Sequence, residues 1–184
     1  MFNFFVFLSL FFNLGCLGNL KNKLNDELPW ESCSQEIGDH PCDFTFLDQT
    51  GKEVSLYDFY GSPILLDFST GWCGFCKWAA MDVQRLQDSH ASIGLVYITV
   101  LLETHNGKSV DVDYCDDWAD EFDIYSAPIL AGDFSIIDEN PAKGWDVQAY
   151  PIFFFVDEEM ILKTQLTGFS PSEIENIIDS LFYD

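Results

Sequence analysis

Basic side chains are scarce in this sequence. Eight Lys and Arg stand against 31 Asp and Glu, for a formal net charge of −23. A surface this anionic repels phosphate backbones and anionic lipid headgroups, which excludes nucleic acid as a partner class. Histidine is also sparse, with three in 184 residues, and no second Cys-x-x-Cys or His pair is present to complete a zinc ribbon. The long apolar run near the start, FNFFVFLSLFF at residues 2–12, is too short to span a bilayer comfortably, and no Lys or Arg precedes it. Internal repeats and low-complexity tracts are missing. What is there, 48% hydrophobic and 16% aromatic residues with six cysteines, is the composition of one globular domain or two small ones, not of a disordered or collagen-like chain.

Residues 1–18 have the character of an export signal. Three processing readings compete. Cleavage after Gly18 gives a soluble exported protein; Gly15-Cys16 resembles the end of a lipobox, which makes Cys16 the lipidated first residue of a lipoprotein; an uncleaved segment anchors the chain to a membrane by its N-terminus. Asn13, where a lipobox usually carries Leu, counts against the second. All three export the chain, to the periplasm or cell envelope of a bacterium or otherwise into a secretory pathway, where cysteines can pair.

Residues 19–43 are polar and irregular, punctuated by Pro29, Gly38 and Pro41, and form a lead-in. Within it, Cys33 and Cys42 suit a local disulfide that staples the segment. A zinc site built from Cys33, His40 and Cys42 is the alternative, and it lacks a nearby fourth ligand.

The domain proper spans residues 44–184. FTFLD and EVSLYDF flank the Gly-containing turn at residues 49–52 and predict a β-hairpin. ILLDFS (64–69) and GLVYITVL (94–101) are short, mostly apolar runs suited to buried strands. Between them, Ala79, Ala80, Val83 and Leu86 mark a helix from Cys73 to about Ser89. Tyr114, Trp118 and Phe122 ride on an acidic helix over 113–123, and a mixed segment follows Pro128. A strand over 152–156, an acidic turn at Asp157-Glu158-Glu159 and a return strand over 160–166 come next. Ser170, Pro171 and Glu173 then predict a capping box opening a helix whose apolar stripe is Ile174, Ile177, Ile178 and Leu181. This order makes an α/β fold, with right-handed crossovers and a central sheet carrying helices on both faces.

The chemistry concentrates in Trp72-Cys73-Gly74-Phe75-Cys76, which follows a buried strand and opens a helix. A cysteine at a helix N-terminus has free backbone N–H groups and the positive dipole end aimed at its sulfur, which favours the thiolate. A two-residue gap brings the second sulfur within bonding reach after one turn, so the pair can close and reopen with little backbone movement. Cys73 is the candidate attacking thiol and Cys76 the resolving one. Structural zinc and an inert structural disulfide are the competing readings of the motif.

The stretch Asp67-Phe68-Ser69-Thr70-Gly71-Trp72-Cys73-Gly74-Phe75-Cys76 resembles the active-site segment of thioredoxins, with an acidic residue six positions before the first cysteine and Trp directly before it. The preceding DFTFLDQTGKEVSLYDFYGSPILLDF is similar to the redoxin branch of that superfamily, which includes AhpC/TSA and TlpA/ResA-type proteins. The resemblance runs from about Gly38 to the C-terminus. It implies a thioredoxin-like fold, a central mixed sheet flanked by helices with an N-terminal hairpin extension, and an exported thiol-disulfide oxidoreductase that works without a cofactor or metal. It implies that Asp67 is the buried proton acceptor for Cys76, and that Tyr150-Pro151 is a cis peptide facing the cysteines. Trp72, Gly74, Phe75, Tyr150 and Pro151 would then shape the docking surface for protein disulfide substrates. A separate electron donor must reduce the pair, and a monomer suffices for the reaction.

Phe75 stands where thioredoxins usually have Pro, so a redox potential does not carry over. The acidic background opposes the Cys73 thiolate, which pushes the pair toward a reductant. Two other functions compete. A peroxiredoxin-like peroxide reductase shares the fold, and Thr70 lies three residues before Cys73, but Leu66 occupies the position of that family's proline. A non-enzymatic acidic binding module could use Asp111, Asp113, Asp116 and Asp117, although a helix N-terminus explains these more simply. Cys115 reads as a buried small hydrophobe or as a pairing partner, and His90 and His105 as surface residues.

Overall fold

The computed structural model describes residues 28–183. The signal readings and the Cys16 lipidation site lie outside the described residues. The chain divides into two compact units, Met1–Glu31 and Ser32–Asp184. Of the first, residues 28–31 are described and hold no helix or strand; the rest concerns the second. Among the described residues no helix is long and apolar enough to cross a membrane.

Residues 32–43 form a looped segment closed by the Cys33–Cys42 disulfide, with Cα atoms 4.8 Å apart. The zinc alternative fails here because the two sulfurs are bonded to each other, while the His40 imidazole Nδ1 lies 2.8 Å from the Met160 carbonyl oxygen.

A two-stranded antiparallel hairpin, β1 (Thr45–Leu47) and β2 (Glu53–Ser55), precedes the main sheet. The second hairpin strand is shorter than the alternation of EVSLYDF predicts. Ser55 accepts from the Tyr57 N–H and Asp58 accepts from the Ser55 N–H, so this reciprocal cap starts a 3-10 turn over Leu56–Phe59 instead.

The five-stranded sheet contains β3 (Ile64–Ser69), β4 (Val96–Leu101), β5 (Ile129–Ala131), β6 (Ile152–Val156) and β7 (Leu162–Thr167), in the order β5-β4-β3-β6-β7. β3 runs parallel to β4 and antiparallel to β6, which makes the sheet mixed. Every residue of β3 is buried, as a central strand covered on both faces requires. The short β5 hides in the segment after Pro128, because three residues are too few to show a period.

Three α-helices lie among the described residues: α1 (Gly74–Ser89), α2 (Val112–Glu121) and α3 (Pro171–Phe182). All three flank one face of the sheet, not both. Residues from each of them join Leu65, Tyr97, Leu101, Phe153 and Phe155 in a single core. The chain steps in one direction from β3 to β4 to β5, so two successive right-handed crossovers must place α1 and α2 on the same side. The opposite face is closed by Trp145, which packs on Phe68 and Phe154 with ring centroids 5.5 and 4.7 Å apart. Ser170 precedes α3 as expected, but its side chain makes no capping hydrogen bond; Pro171 in the first turn does the starting.

Candidate active site

β3 delivers Asp67 and Ser69, and the turn after it delivers the cysteines. Cys73 is the N-cap of α1. Its backbone is extended, and the Cys76 N–H donates to its Sγ at 3.2 Å. That is the local geometry that stabilises negative charge on a sulfur, since an unpaired helix N–H and the helix dipole both point at it. Cys73 and Cys76 are disulfide-bonded with Cα atoms 5.2 Å apart. Cys76 is fully buried, whereas Cys73 retains 7% of its surface at the protein boundary. Cys73 is therefore the less buried of the two cysteines.

The Tyr150–Pro151 peptide is cis, and the Tyr150 carbonyl oxygen lies 3.5 Å from Cys73 Sγ. Trp72 is 51% exposed, which removes core filling as its role. Its ring stands edge-on to Tyr150 at 5.9 Å, and its indole N–H donates to Glu103 at 2.8 Å. Phe75 is 56% exposed and packs edge-on to the equally exposed Trp78 at 5.1 Å. Gly74 has open space where a Cβ would stand. Of the five residues expected to line a docking surface, Trp72, Gly74 and Phe75 are exposed, Tyr150 borders the Cys73 sulfur through its carbonyl, and Pro151 is buried.

Asp67 is buried on β3, in contact with Ser69 and Tyr97. The Ser69 O–H donates to one carboxylate oxygen at 2.8 Å and the Tyr97 O–H to the other at 3.3 Å. Burial pushes the Asp67 carboxyl up to about 7, against the opposing pull of those two hydrogen bonds. A carboxyl poised there can exchange a proton near neutral pH.

Several contributors were missed at the level of sequence. Tyr97 and Ser69 read as strand fillers. Gly71 carries no signal, yet a Cβ there would collide with the Tyr114 hydroxyl and the His105 backbone. Its N–H donates to the Glu103 carbonyl at 2.8 Å, tying the cysteine turn to the loop after β4. The Asp-x-Asp pattern near residue 111 is accounted for by Asp111 capping α2, where it accepts from the Tyr114 N–H at 2.9 Å. Among the described residues no cluster of His, Cys, Asp and Glu could hold a metal. Cys115 is an unpaired thiol sealed in the core. Desolvation first, then the negative field of Asp111 and Asp48, push it up to about 12, which leaves it unreactive. His90, expected at the surface, is buried with its Nδ1 3.1 Å from the Tyr183 hydroxyl.

A dithiol pair at a helix N-terminus, set on a mixed sheet beside a buried carboxyl and a cis-proline, defines a thioredoxin-like oxidoreductase. The chain belongs to the AhpC/TSA family, whose profile matches residues 37–165. It is similar to the thioredoxin-like protein YneN of Bacillus subtilis (strain 168), with 26% identity over 145 residues, 77% of this chain and 78% of that one. In fold it is similar to a putative thiol:disulfide interchange protein DsbE from Chlorobium tepidum, at a TM-score of 0.64 and 22% identity, covering 80% of this chain and 96% of the other. It is also similar to the exposed lipoprotein thioredoxin Etrx1 of Streptococcus pneumoniae strain TIGR4, at a TM-score of 0.58 and 25% identity, covering 76% of this chain and all of the other.

Proposed function

We propose that this protein is an exported reductase of protein disulfides that works through the WCGFC pair. The observation that carries the reading is Cys73 at the N-cap of α1, its sulfur reached by the Cys76 N–H and bordered by the Tyr150 carbonyl. In the reduced enzyme the Cys73 thiolate attacks one sulfur of a substrate disulfide. A mixed disulfide forms and one substrate thiolate leaves, taking a proton from solvent. Cys76 then passes its proton to Asp67 and attacks Cys73 Sγ. The Cys73–substrate bond breaks, the Cys73–Cys76 bond forms, and the second substrate thiolate departs and is protonated. Two electrons pass from enzyme to substrate, and an external thiol donor must return them.

Trp72, Gly74, Phe75, Tyr150 and Pro151 form the docking surface, with the Tyr150 backbone offering strand-like hydrogen bonds to an extended substrate segment. The Cys33–Cys42 bond staples the lead-in locally and takes no part in turnover. An oxidising compartment outside the cytoplasm fits that second disulfide, the apolar N-terminal run and the lipoprotein description of the pneumococcal relative. The N-terminus is either removed, lipidated at Cys16 or kept as an anchor.

The test is reduction of a small disulfide protein by dithiothreitol, with and without catalyst. The wild-type chain should accelerate it, and Cys73→Ser with Cys76→Ser should fall to the uncatalysed rate. An unchanged rate in the double variant would overturn the reading in favour of a binding module. Peroxide consumed at the expense of the same dithiol, with no acceleration of protein disulfide reduction, would favour the peroxidase reading.

A further inference from the structure

We propose that Tyr97 is a positioning residue for Asp67, holding its carboxylate through the phenol O–H and lowering the pH at which that carboxylate becomes available as a base. The inference deepens the reading above and rests on it for the link to turnover.

The geometry is closed on every side. Asp67 and Tyr97 are both almost wholly buried, and they sit on adjacent parallel strands with their side chains on the face covered by the helices. Each carboxylate oxygen receives one hydroxyl donor, Ser69 at 2.8 Å on Oδ1 and Tyr97 at 3.3 Å on Oδ2. Thr99, the register partner of Asp67 on β4, does not serve as a donor: its hydroxyl is buried without a partner. Tyr97 itself is held in place, since its backbone N–H donates to the Gln87 side chain of α1 at 2.7 Å.

Among the described residues no cation offsets the burial of this carboxyl. On its own strand it meets Ser69; β4 brings Tyr97 and Thr99; β6 brings Phe153, its register partner. On the same helix-covered face α1 contributes the apolar Ala79, Ala80 and Val83, and α3 contributes Ile174 and Ile178. The charged group of α1 nearest to matter is Asp82, whose field acts on Tyr97; it is paired with Arg85, which also bonds Glu175. A buried carboxylate with no cationic partner depends on neutral donors for whatever stability its charge has. The two hydroxyls are those donors. Ser69 lies on the same strand as Asp67, whereas Tyr97 reaches the carboxylate from β4 and is tied to α1 through Gln87.

The sign follows. A donor to the charged form lowers the proton affinity of the acid, so deleting the Tyr97 hydroxyl must raise it. Fewer Asp67 carboxylates are then available at neutral pH to accept the Cys76 proton.

The experiment uses the full chain in its reduced form, with the Asp67 carboxyl followed by carbon-13 NMR and assigned with Asp67→Asn. In Tyr97→Phe the Asp67 midpoint should move up by about one pH unit, the scale of a lost hydrogen bond to a charged group. The single-turnover rate of resolution should show the same upward displacement, with its high-pH plateau retained. A rate lowered equally at all pH, with the midpoint unmoved, would show that Tyr97 only packs and would overturn the proposal. A midpoint that moves while the resolution profile stays put supports Tyr97 as the positioner and refutes Asp67 as the base. If Tyr97→Phe does not fold, a fluorinated tyrosine placed at position 97 serves: as a stronger donor it should move the midpoint down, and an unchanged midpoint would overturn the proposal.

Discussion

The protein carries two disulfides in settings that differ in almost every respect that matters to reactivity. Cys33–Cys42 closes a loop between irregular residues, held by backbone bonds such as Ser34 N–H to the His40 carbonyl. Neither of its cysteines caps a helix. Cys73–Cys76 sits at the start of a sixteen-residue helix, after the strand that carries a buried carboxyl with two hydroxyl donors, and beside a backbone carbonyl. The bond is of the same kind in both places. What differs is whether the surroundings stabilise a thiolate on one sulfur and supply a base for the other. On the proposed reading reactivity is a property of the site, and it should be removable without touching either sulfur.

The largest effect should come from Asp67→Asn, which takes away the proposed base and leaves both disulfides intact. Turnover at pH 7 should fall by about 10²-fold or more, the usual worth of a positioned general base. The same change should stabilise the fold. The folded-state carboxyl is raised from 3.8 to about 7, so between those values the folded protein holds a proton that the unfolded chain has released. Stability therefore falls as pH rises through that window, by up to on the order of 4 kcal/mol, and stays low above it. Asp67→Asn should abolish this fall and be the more stable protein at pH 8 in a denaturant titration. A variant both slower and less stable at that pH would contradict the account.

A smaller effect on stability and none on chemistry is expected from Cys33→Ser with Cys42→Ser. Opening a loop of this length should cost about 2–3 kcal/mol of chain entropy. Turnover should stay within about twofold of wild type while the protein remains folded, because no residue of that loop enters the proposed reaction. A tenfold loss of turnover at unchanged fold would break the division between a structural and a reactive bond.

Much of this arrangement is legible in the sequence, and the limits have physical causes. ILLDFS must be a buried strand because it is apolar with a single ionisable residue, and that residue is therefore either misplaced or functional. Cys73-Gly74-Phe75-Cys76 opening an amphipathic helix tells which sulfur is outermost. The partners of Asp67 are a different matter. Tyr97 lies thirty residues away and Ser69 looks like any strand-end serine, so only the parallel register of β3 with β4 brings the donors together. Gly71 is invisible for a similar reason, since the crowding that demands it comes from His105 and Tyr114. The one-sided placement of the helices follows from strand order, which local periodicity does not encode. Cys115, ambiguous on spacing alone, is resolved by its burial in the core.

The most direct test is to equilibrate the oxidised protein in dithiothreitol and glutathione buffers, trap free thiols by alkylation, and measure by peptide mass spectrometry which pair has opened at each potential. Cys73–Cys76 should open first, near the thioredoxin value of about −270 mV, and Cys33–Cys42 only below about −300 mV, where structural disulfides fall. Opening of Cys33–Cys42 at the same or a less reducing potential would contradict the assignment of reactivity to the helix-capping pair, and a Cys73–Cys76 midpoint near −120 mV would make the protein a disulfide donor, not a reductase.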